Sequence, residues 1–312
     1  MEEWMEDVLR RVPQRIRSSL RDFLLPFSAK TKPVADMTCK EVCEFFRLTD
    51  DLSFDWSLEP HERKTVPDYL KSILEDYNLC MAGSRENEAL VRTRLDAILM
   101  TTLAAKKKGE WGQTWGASME SVASYKSLHL QFETPLKCPV MHKNREIILN
   151  GRADYSLWYE TVDEPESNMV VVEAKAHEGD RTGEWQTLTY MAIIHSARKK
   201  AGRSDTTIYG VATDSHRFIF MRLDNNSKWS KLETTWDTPE GAITVISHLH
   251  KIMDHAAMLS PVATRQSASE RKRPMEDPRL EETPSTALRL GSIEVSEPFD
   301  LFRDTEWSSG NH

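Results

Sequence analysis

Three residues near the middle of the chain combine types and spacing that suit phosphate chemistry. Glu173 and Lys175 close the run Val170-Val171-Val172-Glu173-Ala174-Lys175, and Asp154 stands nineteen residues earlier in Gly151-Arg152-Ala153-Asp154-Tyr155. Side chains alternate along a strand, so Glu173 and Lys175 are expected on one face and Val172 and Ala174 on the other. Charged groups leaving the end of a buried strand need partners or a metal, because unpaired burial is costly. Hard divalent ions such as Mg²⁺ (or Mn²⁺) prefer carboxylate and carbonyl oxygens. Asp154, Glu173 and the main-chain carbonyl of Ala174 make such a donor set, with water completing it. The ion would acidify a bound water and polarise a phosphoryl oxygen. Lys175, beside that water, would orient it or help deprotonate it and offset charge in the transition state. The assembly suits in-line attack on a phosphodiester.

Other residues join or compete with this set. Glu88 lies three residues before Val91 and seven before Leu95, which turns it toward the apolar face of a helix and makes it a further metal and catalytic candidate. An ion-paired or capping glutamate is the competing account. Gln186 and Tyr190 sit one turn apart on a later helix, and core packing is the alternative for Tyr190. Glu173 and Lys175 taken alone are a strand-end ion pair. His177 continues their face only if the strand runs that far, and is otherwise a loop histidine. Cys39 and Cys43 are four apart, but no close cysteine or histidine pair completes a zinc site. A phosphate-cradling Gly-x-x-x-x-Gly-Lys-Ser/Thr loop and a serine elbow are both absent from the sequence.

These residues must be positioned by recognisable elements. Thr38 with Glu41 is a capping box opening a helix at Lys40–Arg47. Pro67 fits the first turn of a helix carrying Leu70, Ile73, Leu74 and Tyr77. Ser84 is the expected cap of a helix over 84–108, with Lys106-Lys107-Lys108 at the negative end of its dipole. Leu128, Leu130 and Phe132 alternate with polar residues, Ile147–Tyr159 forms a second strand, and Met169–Val172 a third. A helix is expected over Gly183–Lys200. A hairpin over Thr207–Thr213 and Arg217–Leu223 turns at Asp214-Ser215-His216, and a last helix begins at Thr238-Pro239. The expected organisation is a helical N-terminal cap (1–80), a core with a closing helix (81–260) and a disordered tail (261–312). The polar, charged, proline-bearing stretch from Gln266 is the basis for the tail. The apolar and acidic residues near its end form either a solvated tail or a motif for a protein partner.

Composition narrows the function classes. The 312 residues carry 41 basic and 49 acidic side chains, a net of −8, which excludes coating of nucleic acid by charge alone. Met81–Asp205 is balanced at 17 basic and 17 acidic residues, so any grip on a nucleic-acid backbone falls to local stripes such as Lys106–Lys108 and Arg198-Lys199-Lys200. No apolar run is long enough to span a membrane. The acidic amino end lacks an apolar signal region and the four cysteines are scattered, which points to an intracellular chain with reduced thiols. Arg271-Lys272-Arg273-Pro274 is a short candidate nuclear-import signal.

The order helix, strand, strand with Asp154, strand with Glu173-Ala174-Lys175, helix, strand resembles the PD-(D/E)XK nuclease superfamily. Gln186 and Tyr190, in Trp185-Gln186-Thr187-Leu188-Thr189-Tyr190, resemble the Gln-x-x-x-Tyr element of its RecB-like and lambda-exonuclease-like branch. The resemblance covers roughly residues 84–223. Ala153 replaces the proline of the superfamily's name, as in many branches. A fungal family of intracellular proteins with helical flanks, and some Crinkler-type effector domains, are similar overall. The resemblance implies an α/β, restriction-endonuclease-like core (α-β-β-β-α-β, a mixed sheet flanked by helices) and a Mg²⁺-dependent nuclease acting on DNA. Asp154, Glu173, Lys175, Gln186 and Glu88 would be its catalytic residues, and Asp154, Glu173, Ala174 and Glu88 its metal ligands. An inactive binding module on the same fold, or a nuclear effector, is the alternative.

Overall fold

Val, Ile, Phe and Tyr dominate the runs 147–159, 168–174, 208–213 and 217–223, and these residues favour pleated structure. In the computed structural model they form the centre of an eight-stranded mixed sheet. The structure describes residues 10–13, 30–85, 87–108, 125, 127–142, 145–159, 168–174 and 182–258; at 145, 159, 168–174 and 182 only the backbone path is described. The expected tail, the import signal, Lys175 and His177 lie outside these residues.

The strands are β1 (Lys30–Pro33), β2 (Thr49–Asp50), β3 (Leu128–His142), β4 (Arg145–Tyr159), β5 (Asn168–Ala174), β6 (Ile208–Thr213), β7 (Arg217–Leu223) and β8 (Lys228–Thr235). The described helices are α1 (Cys39–Phe46), α2 (Asp68–Met81), α3 (Glu88–Lys108), α4 (Thr182–Lys200) and α5 (Pro239–Met258). The sheet order is β1-β4-β5-β6-β7-β8-β2, with β3 on the other edge of β4. β3, β4 and β5 form an antiparallel meander. α4 then carries the chain across to β6, which runs parallel to β5. The β6–β7 and β7–β8 pairs are antiparallel. No described helix is long and apolar enough to cross a membrane.

Helices cover both faces, which is why the strands read as nearly continuous apolar runs rather than as alternating ones. On one face α2, α3 and α5 pack Leu95, Ile98, Val245 and Ile252 against Leu157, Val211, Phe218 and Phe220. On the other, α4 and the α1 region pack Leu188, Met191, Val34 and Val42 against Leu149, Ala153, Ala212 and Met221. Ile219 and Met221 alternate with Phe218 and Phe220 between the two cores, the period of two expected of a strand.

Several local expectations hold. The Thr38–Glu41 capping box closes as read, with Thr38 Oγ1 accepting from the Glu41 amide and the Glu41 carboxylate accepting from the Thr38 amide. The hairpin turns at Asp214–His216, where the Asp214 carboxylate accepts from the His216 and Arg217 amides. Others shift. α3 begins at Glu88 rather than 84, because Asn87, not Ser84, accepts the Leu90 amide at 3.1 Å. β3 runs on to His142, through Leu136, Cys138 and Val140, despite Pro135 and Pro139, which an edge strand tolerates. The segment expected to be only helical also supplies two strands: β1 pairs with β4, and β2 with β8. Neither strand has apolar alternation, so no sequence pattern marked them.

Candidate active site

The site forms where β4 changes neighbours. Along one edge β4 keeps β3 throughout. Along the other it pairs with β1 at 147–150 and with β5 from 155 onward. Among the described residues, no strand pairs with 151–154 along that edge, and their backbone groups need other partners. Tyr190, reaching up from α4, supplies them for Arg152. Its hydroxyl accepts from the Arg152 amide and donates to the Arg152 carbonyl, each at 2.9 Å. Gly151 makes room for the ring, since a Cβ there would lie 2.7 Å from the Tyr190 hydroxyl and 2.9 Å from Val34 Cβ. The Gln186 amide donates to the same hydroxyl at 3.2 Å.

The β3–β4 ribbon turns over at the same level. Tyr155 and Leu157 enter one core, while Leu149 and Ala153, of the same parity, enter the other. On β3, Glu133 has φ +54°, uncommon for a residue other than glycine. The register is unchanged across it (Phe132 opposite Tyr155, Thr134 opposite Ala153), so no residue is inserted. The left-handed step instead breaks the alternation of faces.

A pocket of about 240 Å³ opens in this gap. Asp154, Gln186 and Tyr190 line it together with Arg92, Glu133 and Arg152. Asp154 is 6% exposed and Gln186 is equally buried. Arg92, one turn into α3, forks among three carboxylates. Its Nη2 meets Glu88 Oε1 at 2.8 Å and also Asp154 Oδ1, while its Nη1 meets Glu133 Oε1 at 2.7 Å. Arg152 Nε holds the other Glu133 oxygen at 2.6 Å. Burial works against the Arg92 charge, but Asp154, Glu88 and Glu133 together raise its pKa above the ordinary value.

The expected site residues are thus distributed as follows. Asp154 and Gln186 line the pocket, while Glu88 does not line it and joins Asp154 only through a shared guanidinium nitrogen of Arg92. Glu173 and Ala174 end β5. In the β4–β5 pair Tyr155 lies opposite Val172 and Ser156 opposite Val171, and this register continued by one residue sets Glu173 opposite Asp154. Lys175 follows directly. Lys106 and Arg198, read as possible phosphate contacts, are engaged elsewhere: Lys106 pairs with Asp254, and the Arg198 guanidinium donates to the Asp205 carbonyl. Trp185 packs edge-on against Trp229.

Arg92 and Glu133 are the residues that sequence reasoning missed. Arg92 carried one signal, its i+4 spacing from Glu88. Glu133 carried none, because the paired strand lengths that bring it level with Asp154 are not local properties. A metal would find oxygen donors here, the hard type that suits Mg²⁺. Among the described residues, however, no group of three acidic, histidine or cysteine side chains is arranged to hold an ion. Asp154 is instead in contact with Arg92, whose nitrogen meets its carboxylate oxygen. No protein-family model and no curated protein matches the sequence.

Proposed function

We propose that the chain is a divalent-metal-dependent nuclease with a restriction-endonuclease-like core, hydrolysing phosphodiester bonds of DNA. The observation that carries the reading is the β4–β5 register, with Tyr155 opposite Val172, which continued by one residue would set Glu173 opposite Asp154 beside the pocket lined by Gln186. Opposite residues of an antiparallel pair have Cβ atoms roughly 4.5–5.5 Å apart, close enough for two carboxylates to share an ion. The order α3-β3-β4-β5-α4-β6, an antiparallel meander with a helical crossover to a parallel strand, supports the same reading.

Asp154, Glu173 and the Ala174 carbonyl would hold Mg²⁺ or Mn²⁺, which when bound supplies Lewis-acid activation of water and of the phosphoryl oxygen. The chain's own residues do the rest. Lys175 orients the attacking water and takes up or offsets its proton. Gln186, fixed through Tyr190, presents an amide to the pocket wall. Arg92, held by Glu88, lines the pocket, and exposed Arg152 offers a cation to a phosphate. The test is cleavage of plasmid and linear DNA with Mg²⁺, with chelator, and with Lys175→Ala. Mg²⁺-dependent cleavage lost in the variant is the expected result; equal cleavage by both proteins removes Lys175 from the mechanism.

The Arg92–Asp154 contact favours a second reading, a binding module on the same fold without catalysis. An arginine that permanently neutralises Asp154 leaves no place for an ion. Thermal unfolding with Mg²⁺ or Mn²⁺ separates the two. Stabilisation abolished by Asp154→Asn belongs to the nuclease, and no stabilisation to the module. Work in the nucleus, through Arg271–Pro274, belongs to the proposal on either reading.

A further inference from the structure

His195, Lys199 and Ser227 meet where the β7–β8 turn reaches α4. His195 is 3% exposed, and both ring nitrogens are engaged. Nδ1 lies 2.7 Å from the Thr206 carbonyl oxygen and Nε2 lies 3.2 Å from Ser227 Oγ. Lys199 Nζ lies 2.8 Å from the same hydroxyl. A carbonyl only accepts and an ammonium only donates, so the two ends fix the direction of each bond. His195 Nδ1 carries the proton given to Thr206, Nε2 of the neutral ring accepts from the Ser227 hydroxyl, and that oxygen accepts from Lys199. Burial holds the His195 pKa below its ordinary value, which keeps the ring neutral at pH 7. The turn is set for this contact. Ser227 has φ +61°, a conformation that a hairpin turn of this kind usually gives to glycine. Its amide donates to the Asp224 carbonyl at 3.0 Å and its carbonyl accepts from the Thr49 amide at 3.1 Å, so the backbone is held on both sides. Ser227 itself stays partly exposed.

We infer that Ser227 is a nucleophile activated by His195, and that the chain hydrolyses carboxylic esters with good leaving groups. A hydroxyl, an imidazole on it and an acceptor behind the imidazole are the parts of an activated serine, here with a main-chain carbonyl in the place of a carboxylate. They come from α4, the approach to β6 and the β7–β8 turn, so no run of sequence marks them. Ser227 Oγ attacks the acyl carbon while its proton passes to His195 Nε2. The alkoxide leaves with that proton, and an acyl-serine remains. Water then gives a proton to His195 and attacks the acyl carbon; the bond to Oγ breaks, Oγ recovers the proton, and the acid is released. Lys199 is the cation beside the reacting oxygen and stabilises the negative charge that develops on attack. The amides of Asn226, Ser227 and Lys228 are spent on Asp224, so the turn leaves none of them to hold an oxyanion. That restricts the chemistry to activated esters and excludes amides.

The full chain is treated with a fluorophosphonate, the adduct is located by peptide mass spectrometry, and hydrolysis of p-nitrophenyl acetate is followed in parallel. The adduct is expected on Ser227. Ser227→Gly, which suits the φ of the turn and keeps the fold, should abolish the adduct and lower ester hydrolysis by about tenfold or more. His195→Gln should slow labelling by about a hundredfold or more, and Lys199→Met by about tenfold or more. A serine that only satisfies the buried imidazole gives no adduct at 227 and equal hydrolysis by wild type and Ser227→Gly; either result overturns the proposal. Labelling as fast in His195→Gln as in wild type overturns it too. Should His195→Gln fail to fold, Lys199→Met decides, since Lys199 is exposed and its loss leaves the core intact; labelling at the wild-type rate then overturns the proposal. None of these outcomes bears on the nuclease reading, which uses none of these residues.

Discussion

Replacing Tyr190 by phenylalanine tests whether the gap in β4 is held by one hydroxyl. Tyr190 is 1% exposed, and its hydroxyl joins three groups: the Arg152 amide, the Arg152 carbonyl and the Gln186 amide. Phenylalanine keeps the ring and its packing, so the change isolates those bonds. A buried polar group left without a partner costs about 1–3 kcal/mol. The Arg152 backbone is only partly buried and its side chain is exposed, so some water can reach it and the lower end applies to each group. The expected loss is about 2–3 kcal/mol, read by urea unfolding with an unchanged dependence on denaturant. Amide exchange at Arg152 should accelerate in the same variant, because among the described residues no strand pairs with that edge. A loss below about 0.5 kcal/mol with Arg152 still protected would show that something other than Tyr190 satisfies the gap, and the account of how the pocket is built would fail.

Two further predictions concern stability away from the pocket. His248 is buried between the rings of Trp56 and Phe220, and burial, helped by Lys251, pushes its pKa down to about 4. The unfolded chain then binds more protons between pH 4 and 6.5, so the contribution of neutral His248 is complete above about 6.5 and is lost as the pH falls toward 4. Urea unfolding from pH 7 to pH 5 should show stability falling, by up to about 2 kcal/mol from this residue; His248→Phe should flatten that slope, and an unchanged slope would exclude it. Glu184, in the first turn of α4, is 1% exposed and pairs with Lys231 at 2.6 Å. Lys231→Met strands that carboxylate and should cost about 2–4 kcal/mol, below the range for a fully buried pair because Lys231 is partly exposed. Adding Glu184→Gln should recover most of the loss in chemical denaturation; no recovery would mean that the lysine matters for its packing and not its charge.

The parts of the fold legible in the sequence were those written in local pattern. The Thr38–Glu41 box, the Asp214–His216 turn, the apolar runs of β4 to β7 and the amphipathic start of α5 each occupy a few consecutive residues, and each formed where read. β8 went unread because Lys228–Thr235 alternates polar and apolar residues weakly and contains two threonines and a serine. β1 and β2 are short, polar edge strands whose existence depends on a neighbour with free backbone groups. The site divides the same way. Asp154 and Gln186, which line the pocket, carried residue types and elements that drew notice in the sequence. Arg92 and Glu133 did not, because their part in the site comes from a left-handed backbone step and from a register between strands.

The break in the ladder explains why the chemistry collects where it does. A continuous sheet buries its interior backbone and leaves no opening; here β1 stops and β5 begins on the same edge of β4, four residues apart. Filling that opening with an apolar side chain would strand the Arg152 amide and carbonyl, so a buried tyrosine fills it, and its hydroxyl draws Gln186 to the pocket wall. The ribbon's turnover at Glu133 then brings a carboxylate from β3 level with Asp154 on β4. Two neighbouring strands and the start of α3 therefore place acidic residues together, where mutual repulsion demands a cation. Arg92 meets that demand for Asp154, Glu88 and Glu133, and for that reason Asp154→Asn should loosen α3 from β4, read as a loss of stability in urea unfolding.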